Sequence, residues 1–218
     1  MKNFLFILLV IALSIPNLSS AQDPMRFKDQ VKALKQIEHN FPEGEEVLLF
    51  VGSSSIRMWK DVQNYYPGKN IINNGFGGSQ MSDLLHFSRE LIFRHSPDKI
   101  YIYEGDNDLA SKKSAAQIMA NTRELVSKME AHKEDVQIVL IAAKPSLSRW
   151  SIRNKYIELN KEFKKYCDSK DNMNFANVWD PMLGKDGTPM KDIFIEDGLH
   201  MNSKGYDIWA EVLREYVE

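Results

Sequence analysis

Near its C-terminal end the chain reads DGLH, residues 197–200. A carboxylate three residues before an imidazole lets Asp197 orient His200 through one ring nitrogen. The other nitrogen is then free to take a proton. Such a pair needs a nucleophile, and FVGSSSIRMW, residues 50–59, offers hydroxyls at Ser53, Ser54 and Ser55. Gly52 before them permits a tight backbone path. Two more stretches supply donors for developing negative charge. NNGFGGSQ, 73–80, brings the backbone N–H of Gly78, and EGDND, 104–108, brings the side-chain amide of Asn107. Hydroxyl, imidazole, carboxylate and N–H donors are together the parts of an acyl-transfer site. Taken singly, each has a plainer use. Serines cap helices, glycines make turns, and Asn107 suits a turn as well as an oxyanion.

The elements between these stretches decide whether they converge. Residues 24–39 read as a leading helix, with Phe27, Val31, Leu34 and Ile37 spaced for burial. Five stretches read as strands, the largely apolar 46–52 and then 70–75, 98–105, 136–143 and 173–180. Helical patterns lie near 80–94, 113–131 and 151–168, and a last helix begins near Ser203 with Tyr206, Trp209, Leu213 and Tyr216 on one face. Strands alternating with helices favour a parallel sheet covered on both faces. Right-handed crossovers would set every strand's C-terminal end on one edge, where such folds commonly build sites. The serine, glycine and asparagine stretches each follow a predicted strand. DGLH precedes the last helix.

Residues 1–21 read differently. Lys2, an apolar run from Phe4 to Ile15, and SSA before Gln22 form the pattern of a signal peptide cleaved after Ala21. The expected product is exported, periplasmic or extracellular, and comprises residues 22–218 as one domain. The apolar run is short for a membrane span, so no stable membrane insertion is expected after cleavage. The formal charge is −2 and becomes one unit more negative when Lys2 leaves with the leader. That balance argues against a nucleic-acid partner. The only cysteine, Cys167, precludes an intrachain disulfide and reads as a helix-end thiol rather than a nucleophile. Glu104, Asp106 and Asp108 raise the thought of a metal. The stretch follows neither an EF-hand pattern nor zinc spacing, so none is expected. His39, His86, His95 and His132 lack a carboxylate-bearing loop like DGLH and read as surface or helix-flanking groups.

The four stretches, in this order, resemble the SGNH hydrolase family, also called GDSL-like esterases. GSSS matches its first block, NNGFGG its second, GDND its third and DGLH its last. The resemblance spans roughly residues 46 to 217, and GSSSIRMW with DGLHMNSKGYDIWA looks like an acetylhydrolase-like branch. It implies Ser54 as nucleophile, His200 as general base and acid, and Asp197 as its orienter. It also implies an oxyanion hole from the backbones of Ser54 and Gly78 and the amide of Asn107. The alternation of side chains along an extended strand separates Ser54 from Ser53 and Ser55 only weakly. Two positions depart from the family pattern: Ser53 and Ser79 stand where relatives commonly carry Asp. The implied fold is a three-layer α/β/α sandwich with a flavodoxin-like parallel sheet of about five strands.

These readings predict a serine esterase that needs neither metal nor organic cofactor. A short acyl group, such as acetyl, on a carbohydrate or other polar alcohol is the expected substrate. A lysophospholipase or broad small-ester esterase would share the same residues. A secreted carbohydrate-binding protein with a vestigial site is the reading from another class. Arg57, Trp59, Arg149 and Trp150 are candidates for the substrate face, with helix-to-sheet packing as their alternative role. No partner protein and no oligomeric state is legible.

Overall fold

A computed structural model describes residues 23–218. The apolar leader and its cleavage point lie outside the described residues. Among the described residues no helix is long and apolar enough to cross a membrane.

The five predicted strands form one parallel sheet. Its strands are β1 (Val47–Gly52), β2 (Asn70–Gly75), β3 (Lys99–Tyr103), β4 (Gln137–Ile141) and β5 (Met173–Ala176), in the order β2-β1-β3-β4-β5. Central β1 pairs on both sides, and Leu48 to Val51 are fully buried. A strand covered on both faces has no polar face, hence its unbroken apolar sequence.

The helices are α1 (Lys28–Lys35), α2 (Ser54–Met58), α3 (Val62–Tyr65), α4 (Met81–His86), α5 (Ser88–Leu91), α6 (Asp106–Ala110), α7 (Ala115–His132), α8 (Arg153–Cys167) and α9 (Ser203–Val217). The step from β1 to β2 runs one way across the sheet, and every later step runs the other way. With right-handed crossovers this puts α2 and α3 on one face and α4, α5, α7 and α8 on the opposite one. The α1 helix packs on α5. The α9 helix joins the α3 face, where Tyr66 donates to the Ala210 carbonyl at 3.0 Å and Tyr101 to that of Tyr216 at 2.6 Å. This is the α/β/α flavodoxin-like sandwich. Its strand order reverses direction beside β1, opening a crevice between the C-terminal ends of β1 and β3.

Three elements depart from their sequence pattern by more than two residues or a break. The leading helix begins as a 3₁₀ turn at Pro24–Phe27 and stops at Lys35. Gln36 and Ile37 then make short i to i−3 bonds, so Ile37 is 46% exposed rather than buried. The helical pattern at 80–94 breaks into α4, α5 and a 3₁₀ turn, Phe93–His95, after which Ser96 takes a left-handed conformation before Pro97. The fifth strand stops at Ala176 because the side chain of Asn177 accepts from the backbone N–H of Trp179 at 3.1 Å, turning the chain away.

Candidate active site

Register brings three loops to one level. Gly52 aligns with Gly75 on one side and with Tyr103 on the other. At the end of β1, Gly52 has φ +135°, and a Cβ there would lie 2.1 Å from the Tyr103 carbonyl oxygen. Only glycine fits this crossing. Ser53 follows in extended conformation, and its carbonyl accepts from Ile56 and Arg57 to start α2. Its side chain makes no capping bond. Ser53 is 1% exposed and Ser55 2% exposed, whereas Ser54 is partly open. Of the three, Ser54 holds the position from which a hydroxyl reaches the crevice.

The His200 ring meets that hydroxyl. Nε2 of His200 lies 3.0 Å from Ser54 Oγ, and Nδ1 lies 2.5 Å from Asp197 Oδ2. With a carboxylate at Nδ1 the proton sits there, leaving the Nε2 lone pair toward the serine. The other oxygen of Asp197 accepts from the backbone N–H groups of Leu199 and His200, at 2.8 and 2.9 Å. Burial would raise the Asp197 pKa. The hydrogen bonds from His200 and Leu199 outweigh it and hold the carboxyl at about 2. The loop itself is closed by the bridge of Phe194 with Met201, and Ile195 N–H donates to the His200 carbonyl at 2.9 Å.

The donors implied for an oxyanion hole line the same edge. Gly78 is exposed with φ +85°, and its N–H has no acceptor among the described residues. Ser54 opens α2, where the first N–H groups have no intrahelical partner. Asn107 donates one N–H to the Ser79 carbonyl at 2.9 Å, while its Oδ1 accepts from Arg149 Nη2 at 3.1 Å. These two partners fix which way the amide faces and leave its second N–H uncommitted.

The acidic residues of EGDND do not converge on a common point. Glu104 accepts from the Ser79 hydroxyl at 2.5 Å, Asp108 pairs with Lys113 at 3.0 Å, and Asp106 pairs with Arg149 at 2.5 Å. Burial, then the Asp108 charge, pushes the Glu104 carboxyl well above its ordinary range, and its Oε2 lacks a partner.

The four candidates for the substrate face separate. Trp59 does not belong there. It is fully buried, packed against Phe50, Tyr65, Tyr66, Tyr206 and Trp209 in an aromatic core under α9. Arg57 is exposed and its guanidinium covers Gly77. Arg149 is spoken for by Asp106 and Asn107. Trp150 is half-buried and stacks on Trp179 at 5.9 Å. Cys167 is buried, its Sγ 3.3 Å from the Asn174 carbonyl, and burial raises its thiol to about 12. Sequence reasoning passed over Lys144, which is buried at the site and donates to the Leu199 carbonyl at 2.7 Å. Its signal was a lone lysine ending the apolar run IVLIAAK.

A partly open serine, a histidine and a carboxylate in hydrogen-bonded line at the reversal point of such a sheet define a hydrolase-type site. The chain belongs to the GDSL-like Lipase/Acylhydrolase family, whose match covers residues 51–208. Membership supports a serine-hydrolase, esterase-type activity. No curated protein is similar to it at a significant level. Solved structures share its fold. A candidate platelet activating factor from Streptococcus pneumonia is 20% identical with a TM-score of 0.77, covering 89% of this chain and 92% of that one. A GDSL-like lipase from Bacteroides thetaiotaomicron is 19% identical with a TM-score of 0.70, covering 89% and 97%. A catalytic mutant of an acetylxylan esterase from Geobacillus stearothermophilus is 20% identical with a TM-score of 0.66, covering 80% and 95%.

Proposed function

We propose that the protein is an exported serine esterase, one hydrolase domain over residues 22–218, that removes short acyl groups, acetyl foremost, from a carbohydrate or other polar alcohol. Ser54 attacks the acyl carbonyl while His200 Nε2 takes its proton. Asp197 holds the imidazole in the required tautomer and stabilises it when charged. Negative charge gathers on the carbonyl oxygen and is met by the N–H groups of Ser54 and Gly78 and by the Asn107 amide. One such donor is worth roughly 10² to 10³ in rate. His200 returns the proton to the leaving alcohol. Water then attacks the acyl-enzyme with His200 again as base; the acyl–Oγ bond breaks, His200 returns the proton to Ser54 Oγ, and the free carboxylate is released. No step calls on a metal or organic cofactor.

The observation that carries this reading is the unbroken line Asp197–His200–Ser54. Support for the acetyl-carbohydrate substrate comes from the acetylxylan esterase among similar structures and from the polar loops around the serine. Support for export is the leader pattern in residues 1–21. A second reading, a lysophospholipase or broad small-ester esterase, is favoured by two exposed apolar side chains on the loops that meet at DGLH. Leu147 lies against Gly198, and Ile195 is bonded through its N–H to the His200 carbonyl.

A serine-directed fluorophosphonate followed by peptide mapping tests the nucleophile. Modification of Ser54 is expected, and an unmodified Ser54 in an otherwise reactive protein would reject it. Hydrolysis of acetylated sugars, short synthetic esters and lysophospholipids then separates the substrates. A strong preference for long acyl chains would end the acetyl-carbohydrate reading.

A further inference from the structure

Asp106 is buried beneath the site with partners on both carboxylate oxygens. Its Oδ1 accepts from Arg149 Nη1 at 2.5 Å and from the Tyr156 hydroxyl. Its Oδ2 accepts from the Tyr103 hydroxyl at 3.1 Å and lies 3.7 Å from Lys144 Nζ. The two cations come from the same loop after β4 and face different reactive stretches. Arg149 reaches up to Asn107 Oδ1 through its second terminal nitrogen, at 3.1 Å. Lys144 reaches the carbonyl of Leu199, next to His200, at 2.7 Å.

Burying three charges is expensive, and an apolar cluster would usually be at least as stable. Two features indicate what the cost secures. First, a guanidinium is a rigid fork, so anchoring one prong on Asp106 aims the other. Second, an asparagine amide left to rotate offers either oxygen or N–H to the crevice, and only the N–H stabilises an oxyanion. With Oδ1 occupied by Arg149 and one N–H by Ser79, the amide has a single orientation.

We propose that Arg149 is a positioning residue rather than a substrate contact: braced on Asp106, it locks the Asn107 amide with an N–H toward the reacting oxygen. This rests on the esterase reading above. Lys144 braces the other side of Asp106 and ties the same buried anion to the His200 loop. Burial would raise the Asp106 pKa, but the charges of Lys144 and Arg149 more than offset it, so the anchor stays ionised.

The test is steady-state hydrolysis of p-nitrophenyl acetate by the full-length enzyme, with thermal melts of every variant. Arg149→Lys keeps the charge on Asp106 and loses the fork; Arg149→Met loses both. Asn107→Ala is expected to lower kcat by roughly 10² to 10³. Arg149→Lys is expected to lower kcat on the order of 10- to 10²-fold, the scale for displacing a catalytic group by about an ångström, with KM nearly unchanged. In an Asn107→Ala background the same substitution should cost no more than about twofold, since the group it serves is gone. Three results overturn the proposal: full loss from Arg149→Lys in that background, a change confined to KM, or no change. A Lys variant that fails to fold also overturns it, because neutralising Asp106 should suffice for folding. If instead Asn107→Ala retains full activity, the oxyanion reading itself falls and the proposal with it. Loss on Asn107→Ala with additive Arg149 effects removes the proposal alone.

Discussion

His200 and Ser54 stand 146 positions apart in the chain, yet Nε2 of one lies 3.0 Å from Oγ of the other. Helix packing makes the meeting. The helix after DGLH, α9, lies against the helix that Ser54 begins, and Tyr206 on α9 donates to the Ser55 carbonyl at 2.9 Å. The serine and the base are thus carried on two elements bonded to each other one residue past the nucleophile.

If that line does the chemistry, its members fail together. Ser54→Ala and His200→Ala should each remove on the order of 10⁶ in kcat, and either alone should match the pair. Asp197→Asn, which favours the wrong imidazole tautomer, should cost on the order of 10⁴. Kinetics on a short ester checks all three. A double variant much worse than either single would show that the residues do not act as one unit.

Acid stability should carry the signature of Asp197. Its folded pKa, about 2, lies below the ordinary 3.8. A carboxylate depressed by folding stabilises the fold above its unfolded pKa and loses that stability as pH falls through the folded value. The contribution is present above about pH 4 and disappears toward pH 2. Melting temperatures across this window should fall more steeply for the native protein than for Asp197→Asn. Parallel curves would contradict the assignment.

Gly52→Ala should destabilise the fold and misplace the nucleophile. The backbone at φ +135° costs a side chain about 1–3 kcal/mol, and the added Cβ would also overlap the Tyr103 carbonyl. A loss of about 3 kcal/mol or more is expected by urea unfolding, with kcat reduced even where the protein remains folded. A variant as stable as the parent would mean that the β1–β3 crossing can relax.

Trp59 separates packing from binding. Trp59→Ala should cost about 3–5 kcal/mol by opening the aromatic core under α9. Trp59→Phe should lower the melting temperature while leaving KM for small esters unchanged. A raised KM with normal stability would return this residue to the substrate face.

How much was legible depends on how local each signal is. The parallel sheet could be read because the central strands β1 and β4 are nearly continuous apolar runs and strands alternate with helical patterns along the chain. DGLH, SSS, GG and GDND could be singled out because their residue types are the ones acyl transfer uses. Ile37 was expected to be buried, and Trp59 stood between substrate face and packing, for one reason: whether an apolar side chain near an element's end is covered depends on what arrives from elsewhere. Tyr206 and Trp209 come over Trp59, whereas Ile37 stays 46% exposed. Lys144 and Arg149 were harder still, since a cation's partner is invisible until β3 and β4 lie side by side.

By itself, then, the sequence determined the order of strands and helices and the chemical types at the strand ends, because hydrophobic period and residue chemistry are local properties. The tertiary structure decided which hydroxyl of three faces the imidazole, which way Asn107 points and which cations share Asp106. Those are questions of direction and distance between segments remote in the chain, and only packing answers them.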